Sequence, residues 1–423
     1  MTDEKCAHIV VLGGGFGGLT FCQAFSHPRA RITLIDRQNH HLFQPLLYQV
    51  ATAGLSAPEI AQPIRAVLAE REHIDVRMDE VVELRVASRE VVTRQKVISY
   101  DYLIIALGGV TTYFGHPEWE AIAPGLKTLE DAVRIRRQVL LAFEQAETET
   151  DPNLQRRLMT TVVVGGGPTG VELAGAFVEL ARTVLVRDFR NIDPSQARIV
   201  LIEASPVVLS NFPDDLAADA TETLRRMGVE VKTSSKVKTM TAQSVELDTG
   251  ETIEAANIIW AAGVGASPLI RQLGVEMDRA GRVKVNPDCS VPGFPEVFAI
   301  GDNASLLQAD GRPIPGVSPA AMQMARYVAG VIEEELKSTG SEASRRRPFR
   351  YWDKGSMATI GRSAAVAWIR DIHLTGFPAW MAWLVVHLLF LVGFRNKLAV
   401  LVQWTYSYFT YKRGARIITP PRR

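Results

Sequence analysis

Short apolar runs broken off by clusters of glycine recur along the chain in a regular order. Residues 8–12, HIVVL, have the length and composition of a buried parallel strand. Gly13-Gly14-Gly15-Phe16-Gly17-Gly18 then opens a helix, and residues 31–35, RITLI, read as a second strand ending at Asp36. The pattern returns when residues 160–164, TTVVV, lead into Gly165-Gly166-Gly167-Pro168-Thr169-Gly170 and a helix beginning Val171-Glu172-Leu173-Ala174. Its second strand, residues 199–202, ends at Glu203. Two βαβ units about 150 residues apart are too widely spaced for a solenoid, and they predict an α/β fold with two Rossmann-like dinucleotide-binding domains. Three more apolar strands end in tight turns: 102–107 before Gly108-Gly109, 258–262 before Gly263, and 297–300 before Gly301-Asp302.

The loops carry the first chemistry. G-x-G-x-x-G lets the backbone approach a pyrophosphate at a helix N-terminus, and an acid ending the next strand accepts from a ribose hydroxyl. Asp36 stands 23 positions after Gly13, the expected distance. Glu203 lies farther from its loop, which we attribute to an Arg/Asp-rich insertion around residues 183–198 that is expected to face solvent. Ala204, Ser205 and Pro206 bring no cation beside Glu203, and a 2′-phosphate there would face a carboxylate, so the second nucleotide is NADH rather than NADPH.

Lys+Arg 47 against Asp+Glu 46 gives net +1, and with 47% hydrophobic residues the chain is neither disordered nor basic enough for a nucleic-acid role. Cys6, Cys22 and Cys289 form no C-x-x-C pair, which points to a reducing compartment. His40 and His41 have no companion His or Cys at ligand spacing, so no metal is expected. Met1 to His8 leave no room for a signal-peptide apolar region. After Asp371 no acidic residue occurs, while Arg395, Lys397, Lys412, Arg413, Arg416, Arg422 and Arg423 supply positive charge. Within this tail Phe377 to Phe394 is an uncharged run of 18 residues, at the lower edge of the ~17–25 that span a bilayer. A span and a surface anchor are both open, with Pro378 and His387 favouring the interface. A following segment, Lys397 to Tyr411, puts Leu401, Trp404, Tyr408 and Tyr411 at helical spacing next to the basic cluster, a pattern suited to lipid headgroups. The alternative is that both segments pack on the body of the protein or form a homodimer seam.

GGGFGG with Asp36, GGGPTG with Glu203, and VFAIGDN at 297–303 together resemble the two-dinucleotide-binding-domain flavoprotein reductases. Within them, HHLFQPLLYQVATAG at 40–54, IIWAAGV at 258–264, PGVSPAAMQMARYVA at 315–329 and DKGSMATIGR at 353–362 look like the type II NADH:quinone oxidoreductases. The resemblance implies an enzyme passing two electrons from NADH through non-covalent FAD to a membrane quinone, ubiquinone or menaquinone, without proton pumping. It implies FAD at Gly13, Gly15, Phe16, Gly17, Gly18, Asp36, Arg37, Gln44, Pro45, Leu46, Gly108, Gly301, Asp302 and Gln323. It implies NADH at Gly165, Gly167, Pro168, Thr169, Gly170, Glu172, Glu203, Ala262 and Gly263. Glu172, Gln323 and Lys354 are the catalytic candidates, with Leu47 alongside Gln44 to Leu46 on the quinone side. Each has a plainer reading: Glu172 complementing a helix dipole, Gln323 capping or packing the helix near Pro319, Lys354 pairing with Asp353 or solvent. The sequence departs from the family where Met324 and Ala325 replace the commoner Gln-Gly and Leu107 replaces Thr.

Implied too are FAD-binding segments at 1–125 and 280–325, an NADH-binding domain at 126–279, and a quinone-side region with a C-terminal helical membrane-anchoring segment at 326–423. The expected setting is the cytoplasmic face of a bacterial inner membrane, as a homodimer held peripherally or monotopically by the C-terminus. Disulfide and sulfide:quinone reductases are disfavoured by the lack of paired cysteines. A ferredoxin- or rubredoxin-type reductase and an NADH-responsive flavoprotein sensor are the competing readings.

Overall fold

The computed structural model describes residues 6–308, 310–338, 346–410 and 414–418. Tyr411, Lys412, Arg413, Arg422 and Arg423 of the aromatic-basic tail, and residues 1–5 of the charged N-terminus, lie outside these. The elements that position the sites are, in chain order, β1 (Ala7–Leu12), α1 (Phe16–Ala24), β2 (Ala30–Asp36), α2 (Leu47–Ala51) and β3 (Tyr102–Ile105). Then come β4 (Thr160–Val164), α3 (Pro168–Glu179), β5 (Arg198–Ile202), β6 (Asn257–Trp260), β7 (Phe294–Ala299) and α4 (Ser318–Lys337). The chain closes with β8 (Ser356–Gly361), β9 (Ala364–Ile369), α5 (Gly376–Phe390) and α6 (Phe394–Thr410).

The chain divides into two units. The first comprises residues 1–42, 61–110 and 264–353. Its six-stranded sheet has the order Ser290–Val291, β7, β3, β1, β2, Ile74–Met78. β1 pairs in parallel with β2 and β3, with Ile9 opposite both Ile32 and Tyr102. Val10, Val11, Leu12, Leu34, Leu103 and Ile104 have no exposed surface, as a parallel strand covered on both faces requires. α1 and α4 pack together on this sheet.

The second unit comprises residues 43–60, 111–263 and 354–423. Its parallel sheet runs Val229–Lys232, β5, β4, β6, and β4 is buried along its whole length. A second sheet, β8, β9 and Ile372–Thr375, is antiparallel and packs against α3 on one side and α5 on the other. Contact with α3 is very close: a Cβ on Gly175 would fall 1.6 Å from the Ile360 carbonyl oxygen.

These borders differ from the expected ones. Residues 43–60 leave the first unit, the crossings fall at 110/111 and 263/264, and a border at 325/326 would cut through the single helix α4. The 183–198 insertion is also only half solvent-facing: Arg187, Asp188 and Arg190 are exposed, but Val184, Leu185, Ile192 and Pro194 are buried and fold the segment onto the unit.

The 18-residue apolar run is broken. α5 stops at Phe390, Leu391 is extended, and Gly393 takes φ +83° before α6 begins. The 15 residues of α5 rise about 22 Å, short of the ~30 Å hydrocarbon core, and no helix of the described residues is long and apolar enough to cross a membrane. His387 is not a stray polar group: its Nδ1 lies 2.8 Å from the Trp383 carbonyl oxygen and its ring stacks on the indole at 4.1 Å. Burial lowers its pKa to about 4, so the ring is neutral at physiological pH.

Candidate functional site

In the first unit the loop after β1 is shaped by contact with β3. Gly13 has φ +99°, and a Cβ on it would lie 2.4 Å from the Ala106 carbonyl oxygen. A Cβ on Gly18 would meet the Gly13 oxygen at 1.8 Å, whereas one on Gly15 would meet nothing within 4 Å. Gly15 is the N-cap of α1 and supplies no capping side chain, so the helix N-terminus is left for a ligand. Asp36 accepts from the Gly14 N–H at 2.6 Å and from the Gln38 N–H at 2.7 Å, and Arg37 next to it is exposed. On the neighbouring strand ends, Asn303 donates to the Gly108 carbonyl oxygen at 3.0 Å, and the Asp302 carboxylate is close enough to Gly109 that a Cβ there would stand 2.9 Å away. Asn303 Oδ1 and His41 Nε2 are buried and, among the described residues, unpartnered. A phosphate cradle, a ribose acceptor and two orphaned polar atoms in one unit fit a dinucleotide.

His41 is a buried support, its Nδ1 3.0 Å from the Gly14 carbonyl oxygen and its ring edge-on to Phe16; burial holds it neutral. Met324 has a structural use as well. Buried under the Gly301-Asp302 turn, its sulfur accepts from the Gly301 N–H. Gln323 spends its amide on backbone: Nε2 donates to the Trp352 carbonyl oxygen and Oε1 accepts from the Trp352 N–H, each at 2.9 Å.

The second unit repeats the first cradle almost glycine for glycine. Gly165 has φ +109° and a Cβ on it would lie 2.7 Å from the Ala262 nitrogen; one on Gly170 would meet the Gly165 oxygen at 1.7 Å; one on Gly167 would meet nothing. Gly167 caps α3 without a side chain, and Pro168 and Thr169 start the helix. Glu203 accepts from the Gly166 N–H at 2.5 Å and from the Ser205 N–H at 2.6 Å. Ala262 and Gly263 follow β6, beside the loop. Of the residues expected to hold FAD, Gln44, Pro45 and Leu46 belong to this second unit, where Gln44 donates to the Lys127 carbonyl oxygen and Leu46 and Leu47 are buried.

One turn into α3, Glu172 lines a cavity of about 550 Å³ bounded by α2, β8, α5 and α6. Tyr48, Trp380, Trp383, Leu388 and Trp404 give it mostly apolar walls. Burial drives the Glu172 pKa well above the usual carboxylate range despite an opposing hydrogen bond from the Thr359 backbone. Lys354 has its ammonium 5.4 Å from the centre of the Phe390 ring. It belongs to the second unit, and Gln323 to the first.

Several contributors escaped the sequence reading. Trp404 Nε1 donates to Gln49 Oε1 at 2.8 Å, and Gln49 donates to the Tyr48 hydroxyl at 2.9 Å, a polar thread through the apolar wall. Arg362 lies 4.1 Å over the Tyr408 ring and donates to the Tyr408 carbonyl oxygen, while its own N–H is held by Glu179. Trp404 and Tyr408 thus turn toward the protein, the alternative left open for this segment. The outward stripe of α6 is Leu398, Val402 and Tyr406, and that of α5 includes Leu389, whereas the exposed Val385 and Phe409 line the cavity. The signal available was the stretch LLYQV and the sequence DKGSMATIGR, which ends at Arg362.

Two glycine-rich cradles, each with its strand-end acid, define a two-dinucleotide oxidoreductase. Residues 7–325 match the family described as pyridine nucleotide-disulphide oxidoreductase, and residues 353–412 match the NDH2 C-terminal domain. The chain belongs to the type II NADH:quinone oxidoreductases, a family whose cofactors are FAD and NADH. It is 42% identical to the type II NADH:quinone oxidoreductase Ndh of Mycobacterium tuberculosis over 97% of this chain and 90% of that one. It is 31% identical to the demethylphylloquinone reductase NdbB of Synechocystis over 96% of each. Among solved structures, NDH2 from Plasmodium falciparum in complex with NADH matches with a TM-score of 0.89 at 20% identity, over 98% of this chain and all of that one. The sulfide:quinone oxidoreductase of Aquifex aeolicus matches with a TM-score of 0.73 at 18% identity, over 96% and 95%. These two likenesses are of fold.

Proposed function

We propose that the protein is a membrane-surface NADH:quinone oxidoreductase that does not pump protons. The first unit holds FAD at the Gly13–Gly18 loop, with Asp36 on a ribose and Asp302 and Gly301 beside phosphate and polyol oxygens. The second holds NADH at the Gly165–Gly170 loop, with Glu203 on a ribose carrying a free 2′-hydroxyl. The chemistry that FAD supplies when bound is acceptance of a hydride from NADH and release of two electrons to a quinone.

The observation that carries this reading is the double use of α3. Its N-terminus ends the nucleotide loop, and one turn later its Glu172 opens on an apolar cavity large enough for a quinone ring. A carboxyl that keeps its proton in that cavity can give it to a quinone oxygen as charge develops there. The Tyr48–Gln49–Trp404 thread supplies hydrogen-bonding groups in the same walls. Lipid supplies the quinone: Leu389 at 66% exposure, Leu398, Val402 and Tyr406 stand outside the cavity lining and form an outward face on α5 and α6, and α6 also carries Arg395 and Lys397. A bacterial cytoplasmic membrane face and a homodimer complete the proposal.

Detergent-purified protein tests it. A flavin spectrum together with NADH oxidation that saturates with a short-chain quinone is the expected result. A flavin that NADH bleaches and quinone cannot reoxidise would sink the quinone assignment and favour an electron-carrier protein as acceptor.

A further inference from the structure

Phe114 is a bulky side chain in the left-handed region, with φ +51°, where an L residue with a large side chain is rarely found without cause. Strain of this kind persists when the surroundings enforce it and the position is useful. The surroundings here are rigid. Trp260, on β6, donates from Nε1 to the Thr112 carbonyl oxygen at 3.0 Å, and Thr112 N–H reaches the Gly263 carbonyl oxygen at 3.3 Å. The Phe114 ring lies 6.2 Å from the Trp260 ring and so close to Gly263 that a Cβ there would stand 2.7 Å from its edge. Yet 67% of Phe114 remains exposed, so an aromatic ring is braced from behind and open in front.

Its place in the sheet says what it faces. Nucleotides bind beyond the carboxyl ends of parallel strands. Glu203 ends β5, the Gly165 loop ends β4, and Gly263 follows β6, in the order β5, β4, β6 across the sheet. A dinucleotide with its adenosine ribose on Glu203 and its pyrophosphate on the loop must extend its other half toward β6, the side on which Phe114 stands. Resting on the proposed NADH site, we infer that Phe114 is a binding residue for the nicotinamide half of NADH, giving the ring an apolar face to pack against.

The test uses the full-length, FAD-loaded protein and two ligands, NAD⁺ and ADP-ribose, which lacks the nicotinamide, titrated calorimetrically. Phe114→Gly removes both ring and strain. It is expected to weaken NAD⁺ binding about tenfold, the scale of one aromatic contact, with ADP-ribose affinity unchanged and the melting temperature equal or higher. Phe114→Tyr should bind NAD⁺ as the unaltered protein does. Glu203→Gln, acting on the adenosine half, should weaken both ligands. Unchanged NAD⁺ affinity in Phe114→Gly, while Glu203→Gln weakens both, overturns the inference and leaves the nucleotide site standing. Equal loss of both ligands with a lower melting temperature also overturns it, because Phe114 is then only a brace. If Glu203→Gln affects neither ligand, the nucleotide site itself is misplaced and the inference falls with it.

Discussion

A carboxyl enclosed by apolar side chains keeps its proton above the ordinary carboxylate range, and for Glu172 the sign of that shift has two consequences. Unfolded, the group ionises near 4.5; folded, it does so higher. Stability is therefore unaffected below the unfolded value and falls as pH rises through the folded one. Melting curves over that range should show the slope in the unaltered protein and lose it in Glu172→Gln. The same variant should lower quinone-dependent turnover by about 10²-fold, as loss of a proton donor does, with FAD retained; unaltered turnover would leave Glu172 a buried wall residue of the cavity with no part in proton transfer. Glu203→Ala should narrow the preference for NADH over NADPH in kcat/KM by roughly tenfold, since it removes a carboxylate that opposes a 2′-phosphate. The strand-end places of Asp36 and Glu203 beside their glycine loops were legible because a βαβ unit fixes that backbone geometry, whereas Glu172 was singled out by resemblance alone. The hydrogen bonds of Gln323 were not legible, because its amide answers to the backbone at Trp352, which lies 29 positions away in sequence.

At the scale of elements, the close seat of α3 on β8 depends on Gly175. Gly175→Ala puts a methyl group into the Ile360 carbonyl, so it should cost about 3 kcal/mol in denaturant unfolding and narrow the cavity, raising KM for quinone more than KM for NADH. A stable variant with unchanged KM values would mean that the two elements can part without consequence for the site. The Rossmann elements were readable from apolar runs and glycines. The β8–β9 sheet was not, because SMATIG and AAVAWI consist largely of small residues and form neither an alternating pattern nor a strongly apolar β-branched run. α6 shows a related limit. Its helical stripe was visible, but a stripe of Leu401, Trp404 and Tyr408 does not say whether protein or lipid lies opposite, and the cavity takes it.

For the whole molecule, truncation after Thr375 is a poor probe of membrane attachment, since it also removes Ala379, Trp383 and Val400 from the interior. Replacing Leu389, Leu398, Val402 and Tyr406 together by serine leaves those and the cavity walls in place. Flotation with vesicles containing anionic lipid should then show loss of binding by about tenfold or more, while bound FAD and NADH oxidation with ferricyanide persist; a variant that still floats would place the lipid contact elsewhere. The two-part plan was legible from the duplicated loops, but its seams were not, because residues 43–60 belong to the second unit while the residues on either side of them in sequence belong to the first. The cavity has one more property. Three of the chain's seven tryptophans, Trp380, Trp383 and Trp404, stand in its walls, and a quinone ring quenches indole emission on close approach. On the proposed quinone assignment, the ultraviolet fluorescence of the unlabelled protein should fall as a short-chain quinone is added without NADH, a gauge of occupancy before any electron moves.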